Sequence, residues 1–277
     1  MTSVSVVIPT MKGREDLLQK LLASIPDIYE KIIVDDEDLL LAAKRNKGAR
    51  FAKGEYLFFV DDDNYLEDGA IENLVESFEA QNGVVAVIGM MACYQDKPMM
   101  VADGGSLRNY LTGFTFGLNT NCKKLTVQRY GRYRVDEVAN AFMIRREVFE
   151  AVGGFDEVNF PMDMNESDIC KRIKDMGYLI VMNPKAVCYH KSVTYNAFPT
   201  FRRALYAYHH GRGRILYSRK FNHGLRYCLH ISIFLPLFFC FYTTSLLARR
   251  NFKVIIPFWR GIFDGLRNHK TNKYQSR

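Results

Sequence analysis

The chain has 277 residues, 48% hydrophobic and 25% charged, an ordinary globular composition with enough length to bury a full core in one large domain plus an appendage. Six cysteines (Cys93, Cys122, Cys170, Cys188, Cys228 and Cys240), with no CxxC pair or metal-ligand spacing, argue against a disulfide framework and for free thiols in a reducing compartment. A net charge of +8 points to an anionic partner, and the opening MTSVSVVIPTM lacks the basic and long apolar regions of a signal peptide.

Four short runs rich in β-branched or aromatic residues, 4–8, 31–34, 56–60 and 84–90, predict buried strands. Helical periodicity predicts helices over 15–23, 39–53 and 69–80 between them. This alternation predicts an α/β fold with a mostly parallel central sheet covered on both faces. Ligands of such sheets bind beyond the carboxyl ends of the strands. Here those ends read Pro9-Thr10, Asp35-Asp36 and Asp61-Asp62-Asp63, so acidic residues gather on one edge. Turn residues at 103–105 then precede an aromatic, extended stretch over 110–117. A strand over 138–144, a short helix over 145–152, the Gly153-Gly154 turn and a helix over 165–176 follow, with short strands at 179–182 and 186–189 leading to His190.

The character changes near residue 199. FRRALYAYHHGRGRILYSRK is basic, aromatic and helical in period, and residues 228–248 carry no Asp, Glu, Lys or Arg, a length that suits a bilayer-spanning helix. His230 and the central Pro236 fit a kinked or re-entrant segment as well. Residues 249–277 mix Trp, Phe and Ile with Arg and Lys, as an interfacial helix and basic tail do. Both flanks are basic, so charge gives no orientation. Arg202, Arg203, Arg212, Arg214, Arg219 and Lys220 fit attraction to anionic headgroups or a lipid phosphate better than nucleic-acid binding, because an apolar segment adjoins them.

Adjacent carboxylates raise the cost of one another's charge, and a cation removes that cost. Alternate residues of an extended segment point the same way, so Asp61 and Asp63 can face one ion, Mg²⁺ or Mn²⁺ by their oxygen ligands, while Asp62 faces elsewhere. VSVVIPT, IIVDD, RNKGARFAKGEYLFFVDDD, GGFDE, ESDICKRIKDMGY and YHK, in that order over residues 3–192, resemble family 2 glycosyltransferases of the GT-A fold, including rhamnosyltransferase-like and lipid-linked-glycan-assembling members. The resemblance implies inverting, metal-assisted transfer of a sugar from a nucleotide diphosphate sugar. It makes Asp61 and Asp63 the metal-holding DXD motif, with His190 as a further metal or diphosphate ligand. It puts Pro9, Thr10, Asp62 and one of Asp35 and Asp36, with Asp36 preferred, beside the nucleotide donor. Arg45, Asn46 and Gly48 fall on the helix next to it, and Asp103 near the donor sugar. Gly154 and Phe155 match a loop near the acceptor, and Asp168 an acceptor contact or helix-orienting residue. Glu166 matches the general base, with Asp163 as fallback, since Asn165 and Ser167 depart from the usual acidic pattern.

These readings predict a GT-A domain over 1–198, a basic amphipathic helical linker over 199–227, a transmembrane or re-entrant helix over 228–248 and an interfacial helix with basic tail over 249–277. The expected enzyme sits at the cell membrane with its catalytic domain on the cytoplasmic side and glycosylates a lipid-linked saccharide or polyprenyl phosphate. A sugar-phosphate nucleotidyltransferase, or a noncatalytic membrane scaffold of the same fold, is the alternative.

Overall fold

The computed structural model describes residues 3–79, 83–191 and 200–267. The basic tail from residue 268, the end of the expected 69–80 helix and the expected boundary at 198–199 lie outside these residues.

In chain order the first half runs β1 (Val4–Pro9), α1 (Glu15–Ala23), β2 (Glu30–Val34), α2 (Leu41–Phe51), β3 (Tyr56–Val60), β4 (Asn64–Leu66), α3 (Ala70–Glu79), β5 (Val85–Tyr94) and β6 (Val101–Asp103). Then come β7 (Ser106–Arg108), β8 (Thr115–Gly117), α4 (Lys124–Gln128), β9 (Tyr133–Arg134), β10 (Ala141–Arg145), α5 (Arg146–Ala151), α6 (Asn165–Asp175) and β11 (Leu179–His190). The main sheet has the order β2-β1-β3-β10-β5-β11-β4, with β6 added to β5 and β9 to β11. β1 pairs in parallel with β2 and β3, and β5 with β11, whereas β10 is inserted antiparallel between β3 and β5.

Period-two alternation explains the two buried faces. Val4, Val6, Ile8 and Phe58 point into one core with Leu21 of α1 and Leu74 and Phe78 of α3. Val7, Leu57 and Phe59 point into the other with Ala42 of α2, Val148 of α5 and Ile169 and Ile173 of α6. The helix layers thus clamp the sheet and fix where its carboxyl edge lies.

Two sequence expectations differ in detail. The strands expected at 179–182 and 186–189 are one strand, β11, whose register shifts between Asn183 and Val187 around Pro184, a residue without an N–H for the ladder. Only 115–117 of the aromatic 110–117 stretch is extended. It pairs with β7, and the Asn109 side-chain oxygen accepts from the N–H groups of Leu111 and Thr112 to make the connecting turn.

The C-terminal part is helical: α7 (Thr200–Phe221), α8 (Gly224–Leu229), a π-helical turn (His230–Phe234), α9 (Leu235–Ala248) and α10 (Phe252–Arg267). α7 is no linker. It lies against the sheet domain, and α10 packs along it so closely that a Cβ on Gly261 would stand 2.0 Å from the Tyr208 carbonyl oxygen. A Cβ on Gly211 would stand 2.4 Å from that of Phe258, so glycines on both helices permit the approach. The helical run Gly224–Ala248 is, by length and composition, apolar enough to cross a membrane, with mean hydropathy 1.9 and 17% of its window buried. It is nonetheless docked: His230 is buried with Nδ1 2.7 Å from the Leu111 carbonyl oxygen, and Trp259 of α10 donates to Thr243 of α9 at 3.2 Å.

Candidate active site

The carboxyl edge of the sheet is held together by its own charges. Pro9 closes β1 in a buried position. Next to it the Thr10 hydroxyl donates to Asp62 Oδ2 at 2.7 Å, and Lys44 Nζ donates to the Thr10 carbonyl at 2.5 Å. Asp62 is buried and also pairs with Arg14 at 3.0 Å, so it fastens the first loop to β3. This corrects the expectation that Asp62 contacts substrate. At the end of β2, Asp36 pairs with Lys47 at 2.8 Å and Asp35 is exposed.

Arg45 is the keystone. It projects from α2, is wholly buried, and lies about as far from the Phe142 ring as from that of Phe155, 5.6 and 5.5 Å. Its Nη2 donates to Asp61 Oδ1 at 2.9 Å, while Nη1 donates to Glu166 Oε1 at 2.5 Å and to Asn165 Oδ1 at 2.7 Å. One guanidinium therefore joins the end of β3 to the start of α6. Met164, at φ 62° in the left-handed region, turns the chain so that Asn165 and Glu166 open that helix. Both departures from the family pattern have partners: Asn165 takes Arg45, and the Ser167 hydroxyl accepts from Arg108 at 3.1 Å. Burial, with the charges of Asp63 and Glu166, holds the Asp61 carboxyl above the usual range even beside Arg45.

Asp63 Oδ1 and His190 Nε2 are 3.5 Å apart, because β11 pairs His190 with Asn64, the first residue of β4 and the one after Asp63, and Arg14 Nη2 lies 2.7 Å from Asp63 Oδ2. Among the described residues no three His, Cys, Asp or Glu side chains form a ready-made metal cage. Mg²⁺ and similar ions need none, since they keep waters and bind through one or two carboxylates and substrate phosphates. The carboxylates of Asp61 and Asp63 and the His190 imidazole are ligand types that such an ion accepts.

A cleft of about 390 Å³ opens beside these groups, with Asp103 and Glu166 on its wall together with Glu137, Asp163, Arg108, Tyr206, His210 and Arg214. Asp103 Oδ1 accepts the Gly105 N–H at 2.7 Å, and burial raises its carboxyl. Asp163, the fallback base, is spoken for. Burial opposes its charge, yet His210 at 2.9 Å, Arg214 nearby and the Tyr206 hydroxyl at 3.2 Å hold it down to about 2.

Several expected site residues are structural. Asn46 spends its side chain on the backbone of Phe155, donating to its carbonyl at 2.8 Å and accepting its N–H at 2.9 Å. Phe155 is packed in the core, edge-on to Phe59 at 5.2 Å, and stacks on no sugar. Gly154 holds φ +70° where a Cβ would meet Asn46 at 2.8 Å, and a Cβ on Gly48 would stand 2.4 Å from Val7, so both glycines serve close packing. Asp168 is buried between Arg172 at 2.6 Å and Lys220 at 2.7 Å, tying α6 to α7. The basic face of α7 is largely internal: Arg212 donates to the Asn159 carbonyl, Arg219 to those of Gly265 and Leu266, and Arg203 to Asn251. These groups are struts, which corrects their assignment to a headgroup-facing surface. Sequence reasoning passed over Arg14 and the role of α7 in the cleft. The four-residue spacing of Tyr206, His210 and Arg214 was the available signal.

Residues 37–153 match the sequence family described as Glycosyl transferase family 2. The chain is 25% identical over 194 residues to the glucosyl-dolichyl phosphate glucuronosyltransferase of Haloferax volcanii, covering 66% of this chain and 58% of that protein. Its fold is similar to the mannosyltransferase PcManGT of Pyrobaculum calidifontis in complex with GDP-Man and Mn²⁺ (TM-score 0.54, 14% identity, 96% of this chain and 87% of that one). It is also similar to GalNAc-T7 with UDP, GalNAc and Mn²⁺ (TM-score 0.55, 15% identity, 79% and 51%).

Proposed function

We propose that this chain, a glycosyltransferase that carries a family 2 domain on a GT-A fold, inverts the anomeric centre of a nucleotide-diphosphate sugar while transferring it to a membrane-linked acceptor. The observation that carries this reading is the Arg45 bridge, which holds Glu166 and the first carboxylate of the DXD run on one guanidinium at one cleft. Glu166 accepts the proton of the acceptor hydroxyl as that oxygen attacks the anomeric carbon. The new carbon–oxygen bond forms as the bond to the diphosphate breaks, and the nucleoside diphosphate departs with that electron pair. Arg45, fixed by burial, orients the Glu166 carboxylate. Asp63, His190 and Asp61 would hold a divalent ion, which would supply neutralising charge for the leaving diphosphate. Asp35 or Asp36 and the Thr10 loop border the nucleotide, and Asp103 lines the sugar side.

The acceptor is read as a prenyl-phosphate-linked saccharide or a polyprenyl phosphate. Support comes from the Haloferax volcanii relative, whose name specifies glucosyl-dolichyl phosphate, and from the exposed apolar faces of α9 and α10, where Phe241 is 69% and Ile256 79% accessible. Because α9 packs on α7 and α10 along one face, we read it as lying in the cytoplasmic leaflet and not as a crossing.

Membranes containing the chain, given a panel of nucleotide sugars and prenyl-phosphate-linked acceptors, should yield a product heavier by one glycosyl unit. That product should require Mn²⁺ or Mg²⁺ and fall about 100-fold or more with Glu166→Gln. No transfer with any donor, or pyrophosphate release that needs a nucleoside triphosphate, would overturn the reading.

A further inference from the structure

On α7, Lys220 pairs with Asp156 and Asp168, and Arg203, Arg212 and Arg219 each donate to an oxygen of the chain at 2.7 to 3.1 Å, whereas Arg214 is held more loosely. It lines the cleft that Glu166 also lines. Among the described residues it makes no ion pair. Its Nε is buried without a partner, and Nη1 reaches the Gly113 carbonyl only at 3.4 Å. The Phe238 ring of α9 lies against it, with its centroid 3.8 Å away. Asp163, the nearest acidic group, is already bonded to His210 and Tyr206, while Arg108 is occupied by Glu137 through two nitrogens. A largely buried guanidinium with no carboxylate in direct contact is costly, and burial with the Arg108 charge depresses it to about 10 although the more distant Asp163 charge works the other way.

The position of this charge matters as much as its lack of a partner. A second, small cavity of about 20 Å³ also has Arg214 in its wall, together with His230, Leu235 and Phe238. Arg108, Met164 and Arg214 belong to the walls of both cavities. Arg214 thus stands where a polar cleft holding the candidate base meets the apolar helix. A ligand with a polar hydroxyl-bearing end, an anionic joint and an apolar tail matches that sequence of surroundings.

We infer that Arg214 binds the phosphate of a prenyl-phosphate-type acceptor, with the chain of the lipid following α9 and its hydroxyl-bearing end reaching toward Glu166. The inference rests on the proposed transferase reading and deepens it by naming the group that recognises the acceptor. Arginine suits the task, since its planar fork matches phosphate oxygens in pairs.

The test uses the full chain in neutral phosphatidylcholine nanodiscs and three probes: a short prenyl monophosphate, the corresponding prenol and inorganic phosphate. The wild type should bind the prenyl phosphate at least about tenfold more tightly than either other probe, and Arg214→Ala should remove that preference while Arg214→Lys keeps part of it. Retained binding of a nucleoside diphosphate by each variant reports that it is folded. Wild-type preference surviving intact in Arg214→Ala overturns the inference, as does inorganic phosphate binding as tightly as the lipid. Sugar transfer to lipid acceptors that ignores Arg214 would sink this inference and leave the proposed function standing. Arg214-dependent prenyl phosphate binding in a chain that transfers no sugar would do the reverse.

Discussion

On the β1–β3 side of the cleft, each acidic residue of the 61–63 run touches a cation of the chain: Asp61 meets Arg45, while Asp62 and Asp63 meet Arg14. On the α7 side the relation is reversed, for Arg214 reaches the cleft with no carboxylate paired to it among the described residues. The first side is an anionic cluster whose charge the resident arginines Arg14 and Arg45 balance. The second presents a guanidinium that, in the inference above, an anionic ligand completes. In the proposed reading this difference assigns each wall one type of partner, a metal with its diphosphate or a phosphate on a lipid.

The strongest way to break this comparison is at the residue both catalytic elements share. Arg45→Ala leaves Asp61 and Glu166 without their common cation, and loss of one partner in a buried cluster costs about 3–5 kcal/mol. A large fall in melting temperature and loss of transfer are expected together. Arg45→Lys should recover little, since a single ammonium cannot serve two carboxylates and Asn165 in a planar fork. Transfer at wild-type rate in Arg45→Ala would remove the bridge from the account.

A smaller effect should separate the two walls. Gly261→Ala drives a Cβ into the Tyr208 carbonyl, and overpacking of this kind costs about 1–3 kcal/mol. If α7 carries the acceptor side as proposed, transfer to a lipid acceptor should drop several-fold while metal-dependent hydrolysis of the donor sugar persists. Equal loss of both activities would mean that the walls are not separable.

The smallest effect is a pH dependence of α7. Burial, together with the charge of Arg212, lowers His209 to about 4, against about 6.5 in the unfolded chain. The unfolded state binds the extra proton between those values, so this contribution is complete above about 6.5 and is lost as pH falls toward 4. Denaturant titrations at pH 7.5 and 5.5 should differ by about 1 kcal/mol from this group, and His209→Phe should flatten the difference. An unchanged slope in that variant would place the titration elsewhere.

The carboxyl edge was legible in the sequence because strand alternation and β-branched composition are local signals, and they brought Asp61, Asp63, Asp103, Glu166 and His190 to one region. The Arg45 bridge was not legible, since it joins residues 121 positions apart and depends on how α2 and α6 cross the sheet. Motif matching carried Asn46, Gly154 and Phe155 toward the substrate although their work is to lock α2 against the 154–155 loop. The basic helix misled for a physical reason. Charge density in a sequence does not say which side chains will find carbonyls, and α7 became interior once the glycines of α10 let it close.

The central claim is that Asp63 and His190, with Asp61, seat a divalent ion that anchors the donor diphosphate opposite Glu166. Calorimetric titration of the full chain with Mn²⁺, in the presence of UDP or GDP, tests it most directly. One site per chain is expected, weakened at least about tenfold by Asp63→Asn and by His190→Ala. No Mn²⁺ binding with either nucleotide, or binding that both substitutions leave intact, would contradict the claim.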